Sequence, residues 1–130
     1  MLRFALPLVA IVLSSPAHAN EAVDRFEAAW VTYYTKLFGT VTDNVPDLSW
    51  DDGDRQAGTC MLVAVADQAG ANGMTTFIRA YENAAARNYS SQSEAVSALE
   101  VNVPGLTAAS LELITRSCGM LERLQARLGG

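Results

Sequence analysis

Cys60 and Cys118 are the only cysteines in the chain, and they lie downstream of an apolar leader, so a single intramolecular pairing is open to them. The leader is read from its parts. Arg3 gives a positive start, Phe4 to Leu13 an apolar stretch interrupted by Pro7, and Ala17-His18-Ala19 places small residues where a signal peptidase reads them. Crossing a bilayer takes about 20 apolar residues. The segment therefore reads as a signal peptide over residues 1–19, cleaved after Ala19, and no lipid-accepting cysteine follows its apolar stretch.

A periplasmic or secreted destination is oxidising, and an even cysteine count there predicts a Cys60–Cys118 disulfide. The bond closes a loop of 58 residues, which the chain-entropy model rates at about 4 kcal/mol. Redox catalysis is the rival reading, but it calls for the adjacent pair of a Cys-x-x-Cys motif, which is absent.

Cleavage would leave 111 residues, 20–130, forming one helical domain with eight basic against fourteen acidic side chains. That balance argues against nucleic acid, whose phosphates need a positive surface, and against anionic lipid. No later segment is long or apolar enough for stable membrane insertion. The sole histidine, His18, leaves with the leader. A mature chain without imidazole lacks the base of a Ser-His-Asp or Cys-His site and the usual zinc ligands.

The dominant apolar period is helical. Val23, Phe26, Trp30, Tyr33 and Leu37 recur at steps of three and four, which predicts a helix from about Ala22 to Phe38, capped by Asn20 and ended by a left-handed Gly39. After a loop containing Pro46, Ser49 and Asp52 have capping-box spacing for a second helix through Gln68, with Ala57, Cys60, Met61, Ala64 and Val65 inward and Gly70 terminating it. A third helix from about Gly73 to Arg87 aligns Met74, Phe77, Ile78, Tyr81 and Ala85, with Asn88 as its stop. Ser91 and Glu94 open a short helix carrying Ala95, Val96 and Leu99. Past the Val103-Pro104-Gly105 turn, Thr107 caps a last helix with the longest stripe in the chain: Leu111, Ile114, Cys118, Leu121, Leu124 and Leu128. The predicted fold class is all-α, a small bundle of four to five helices with one internal disulfide stapling two inward faces.

Candidate chemistry is sparse. No phosphate-binding Gly-x-x-x-x-Gly-Lys-Ser/Thr loop and no dinucleotide-binding Gly-x-Gly-x-x-Gly motif occurs, and no cofactor is expected. A cell-wall hydrolase working with two carboxylates is one alternative, but Glu82, Glu94, Glu112 and Glu122 all fall on solvated helix faces with nothing to single one out. A calcium module is another. Asp47, Asp51, Asp52 and Asp54 cluster before the second helix, although their spacing is not that of an EF-hand and a solvated capping loop accounts for them. Among the aromatics, Tyr34 and Phe38 stand beside the core stripe of the first helix and Trp50 outside it, which marks these three as a candidate interaction surface.

Thr59-Cys60, Asp67, Phe77, Ala80, Glu94-Ala95-Val96 and Cys118 together resemble the periplasmic acid-stress chaperones of the HdeA type. The resemblance covers about Thr59 to Cys118 and implies a small helical dimer with one disulfide, which opens in acid and shields clients with its apolar surface. The reading the residues favour is broader: a non-catalytic secreted protein with a binding or accessory role, whose partner is another periplasmic protein or a second copy of itself as a homodimer.

Overall fold

The computed structural model describes residues 16–129, with side-chain surroundings from Asn20 onward. The positive start and apolar stretch of the expected signal peptide, and the side chain of His18, lie outside the described residues. Five helices follow in order: α1 Pro16–Gly39, α2 Asp52–Ala85, α3 Gln92–Ala98, α4 Ala108–Ser117 and α5 Met120–Arg127, with no strand among the described residues. The fold is a small all-α bundle, and Cys60 and Cys118 are bonded.

The stripe Val23, Phe26, Trp30, Tyr33 and Leu37 is buried throughout α1, as its spacing predicts. Both predicted ends of this helix are corrected. Asn20 is not a cap but an interior residue, because Pro16 can open a helix with its preset φ and Ala17 and Ala19 carry it on. Gly39 is not left-handed. The end is closed instead by Thr40, whose N–H and Oγ1 both donate to the Leu37 carbonyl, at 3.1 Å and 2.6 Å.

α2 contains the second and third predicted helices, run together across a kink at Gly70 (φ 77, ψ 178), backbone angles that favour glycine. Its cap is Asp51 paired with Asp54, not Ser49 with Asp52: Asp51 Oδ1 accepts from Asp54 N–H at 2.8 Å, and Asp54 Oδ2 accepts from Asp51 N–H at 3.0 Å. Ala57, Met61, Leu62 and Val65 in the first half and Phe77, Ile78, Tyr81 and Ala85 in the second are buried against α1 and its neighbours. The helix stops at Ala85, short of the predicted Arg87 and Asn88. There Lys36 of α1 donates to the carbonyls of Ala85 at 2.6 Å and Arg87 at 2.9 Å, satisfying acceptors that a longer helix would have used itself.

Ser91 caps α3 by accepting from Glu94 N–H at 3.1 Å, but the expected reciprocal bond does not form, because Glu94 accepts from Ser90 N–H instead. Tyr33 Oη donates to the Ala95 carbonyl at 2.8 Å, fixing this short helix on α1. Thr107 caps α4 reciprocally with Ser110. The expected single last helix is broken, however, by Gly119 (φ 81, ψ 9). The break turns the second half of the stripe away from the core. Ile114 is buried, Leu111, Cys118 and Leu124 are half-buried, and Leu121 and Leu128 are exposed. Cys60 is exposed as well, so the disulfide does not staple two inward faces; it joins the flank of α2 to the end of α4 at the rim of the bundle.

Candidate functional site

Three places in the fold gather distinctive side chains. At the N-terminus of α2, Asp51 and Asp54 are aimed by their capping box toward α5, from which two arginines one helical turn apart descend on them. Arg123 donates to Asp54 Oδ1 at 2.6 Å and to Asp51 Oδ1 at 2.8 Å. Arg127 pairs with Asp54 Oδ2, reaches Asp51 Oδ2 at 3.3 Å and donates to the Ser49 carbonyl at 2.7 Å. Asp54 is buried, 3% exposed. The two arginines supply the partners it needs there, since an unpaired buried carboxylate is costly. Asp51 sits further out, and its carboxyl is lowered to about 2, first by the Asp54 N–H it accepts and then by Arg123.

The acidic loop accordingly does not assemble as a cation site. Asp51 and Asp54 already answer arginines, Asp52 is exposed, and Asp47 turns back to accept from Ser49 N–H at 2.9 Å. Among the described residues no group of three or more histidines, cysteines, aspartates or glutamates is placed to hold a metal.

The second place is aromatic. Every aromatic side chain from Phe26 onward joins one connected cluster: Phe26 meets Trp50 at 5.7 Å, Phe77 at 5.3 Å and Tyr81 at 5.2 Å; Trp30 meets Tyr34 at 4.6 Å and Trp50 at 5.6 Å; and Tyr33 meets Tyr89 at 6.3 Å. Tyr34, Phe38 and Trp50, expected to line an interaction surface, are half-buried and packed on this core. Trp50 Nε1 is buried without a hydrogen-bond partner. The helical wheel of α1 placed Tyr34 beside the stripe correctly. What it could not include is the second half of α2, whose Tyr81 comes within 6.5 Å of Tyr34 and covers that flank. Burial raises the Tyr34 and Tyr81 phenols, and it pushes Tyr33 up to about 12.

The third place carries exposed leucines. With Tyr34, Phe38 and Trp50 drawn inward, the large apolar side chains left in solvent include Leu113 (65% exposed), Leu121 (38%) and Leu128 (41%), all on α4, α5 or the residue that ends α5. Sequence reasoning placed Leu121 and Leu128 in the core because it read one unbroken helix. Gly119 was the available signal for the break.

The glutamates weighed for hydrolysis are scattered. Glu82 is paired with Arg25, whose guanidinium donates to it at 2.8 Å and holds its carboxyl below the usual range, opposite to what a general acid needs. It borders a shallow groove of about 480 Å³ floored by Ala28, Ala29, Ala85 and Ala86. Glu94 accepts from Ser90 N–H, Glu112 pairs with Arg116 on the same helix, and Glu122 is exposed on α5. No helix of the described residues is long and apolar enough to cross a membrane. Comparison of the chain with protein-family models, with curated proteins and with solved structures found no match.

Proposed function

We propose that the protein is a secreted, non-catalytic interaction protein that uses the exposed leucines of its last two helices, Leu113, Leu121 and Leu128. The observation that carries this reading is the division of its apolar surface. The aromatics are packed on the core, while three of the six large apolar side chains left exposed among the described residues, Leu113, Leu121 and Leu128, belong to the last two helices or the residue that ends them. Val41, Val63 and Val96 stand singly elsewhere; exposed apolar side chains gathered in one region mark contact sites. The test is the triple change of Leu113, Leu121 and Leu128 to Ser in the oxidised protein. Helical content and melting should stay close to those of the unchanged chain, while species cross-linked to the protein in a periplasmic extract disappear. Cross-linking that persists in a folded triple variant overturns the assignment of the surface.

A second reading, an acid-stress chaperone, is favoured by one feature, the arginine–aspartate clamp. Its Asp51 carboxyl, lowered to about 2, loses its charge only toward pH 2, while the disulfide keeps α4 attached, so the clamp end can loosen in strong acid with α4 still tethered. Aggregation of an added client at about pH 2, where ordinary carboxylates are neutral, decides it: the reading requires suppression by the oxidised protein and release on neutralisation.

A further inference from the structure

The last two helices carry an inconsistency between pattern and shape. From Leu111 to Leu128 the apolar stripe has the period of one continuous helix, yet the chain is folded back at a single residue. Cys118 keeps right-handed angles (φ -80, ψ -9) and donates its N–H to the Ile114 carbonyl at 3.0 Å; only Gly119, at φ 81, departs before α5 begins. Rotation at that one glycine would join α4 and α5 into a rod of about 30 Å, at 1.5 Å per residue.

In the rod, α5 points away from α2, and its arginines leave Asp51 and Asp54. The vacated seat is then a poor surface to expose to water or to a random neighbour. It holds a buried carboxylate, a second carboxylate beside it and the Ser49 carbonyl, and Gly53 lies where the Arg123 guanidinium rests, so that a side chain there would collide with it. What fits is a helix with two arginines four residues apart, and the chain supplies one such segment, its own α5. Upstream of the hinge nothing has to move, because the disulfide holds Cys118 to Cys60 of the same chain.

We propose that two copies of this chain dimerise by exchanging α5, with Gly119 straightened in each and Arg123 and Arg127 of one copy seated on Asp51 and Asp54 of the other. Exchange of an identical element keeps the native contacts of α5 and changes only those at the hinge, which is why such dimers form at low cost. The proposal rests on the hinge and the clamp. It stands whether or not the leucine face has another partner.

Gly119→Ala is the first test, since an L side chain disfavours φ near 81 and favours the continuous helix. Oxidised Gly119→Ala protein should show a larger fraction at twice the single-chain mass by light scattering than the unchanged chain, and should run as a single chain in detergent without reductant. An unchanged fraction in a folded variant overturns the proposal. Complementation provides a second arm should that variant fail to fold. Asp51→Asn with Asp54→Asn removes the seat but keeps a capping side chain at position 51; Arg123→Gln with Arg127→Gln removes the arm. Each double variant alone should be monomeric, and their mixture should give a mixed dimer by native mass spectrometry, with one intact arm in one intact seat. A mixture that stays monomeric, or an arm-deleted variant that still dimerises alone, sinks the idea.

Discussion

The α1–α2 hairpin and the α4–α5 pair are both helical but held by different forces. In the hairpin, six residues of α1 are buried and the aromatic side chains interlock across the two helices, so position is set by shape and by water excluded over a large area. In the pair, only Ile114 of α4 and Met120 of α5 are buried. What holds these helices to the rest is a disulfide at one end and four charged side chains at the other. A region held by packing yields to cavities. One held by tethers yields to reductant, salt and acid, and it can be released while the remainder stays folded.

That contrast breaks most sharply at Phe26. The ring is fully buried and touches Trp50, Phe77 and Tyr81, from the loop and from the second half of α2. Phe26→Ala should cost about 3–5 kcal/mol through lost transfer energy and a cavity that stiff aromatic neighbours cannot fill. In a small domain that is most of the stability available. Thermal melting followed by far-UV circular dichroism should show the whole chain unfolding at a much lower temperature in one transition. A loss below about 1 kcal/mol, the range of a conservative core change, would mean that the hairpin is not the packed half of the molecule.

Cys60→Ser should do less and do it locally. The disulfide shortens the loops of the unfolded chain, an effect of about 2–4 kcal/mol in general, but it lies at the rim, with Cys60 exposed and only Cys118 packed on the core. Amide exchange should quicken over α4 and α5 and barely change in α1. Uniform acceleration over all five helices would show that the two regions melt as one unit.

These forces were unequally legible in the sequence. The hairpin was readable because its information is local: the three-and-four spacing of Val23 to Leu37, the kink residue Gly70 and the stripe Phe77, Ile78 and Tyr81 each need only a window of one or two helical turns. The cap of α2 was misread for the opposite reason. Ser49 with Asp52 and Asp51 with Asp54 have the same spacing, and the choice follows from Arg123 and Arg127, which bond Asp54 from 69 and 73 residues away. Nothing within one or two turns of Arg123 or Arg127 points to that pairing. Tyr34, Phe38 and Trp50 were placed at the surface by a wheel that holds one helix at a time, whereas their burial needs Tyr81 and Phe26 from other parts of the chain. Cys60 borders the inward face of α2 on a wheel, but in the fold it is exposed and its partner Cys118 only half-buried, which puts the bond at the rim.

The smallest expected effect lies in the clamp and is read as a dependence on pH. Asp51 has its carboxyl lowered to about 2 in the folded chain against an ordinary value near 3.8, first by the Asp54 N–H and then by Arg123. A lowered folded value means that the ionised form binds the fold better, so its contribution is complete above about pH 4 and fades as pH falls toward 2. Because Asp51 is open to solvent, water and salt screen the contribution, and it should shrink further as ionic strength rises. Asp51→Asn keeps an N-cap side chain and removes the charge. The variant should therefore melt slightly below the unchanged chain at pH 6 in low salt and converge with it at pH 2, with amide exchange in α5 as the most responsive signal. Were the gap between the two proteins instead to widen toward pH 2, the carboxylate would be opposing the fold, and α5 would have to be held by Met120 and Leu124 in the way the hairpin is held by its aromatics.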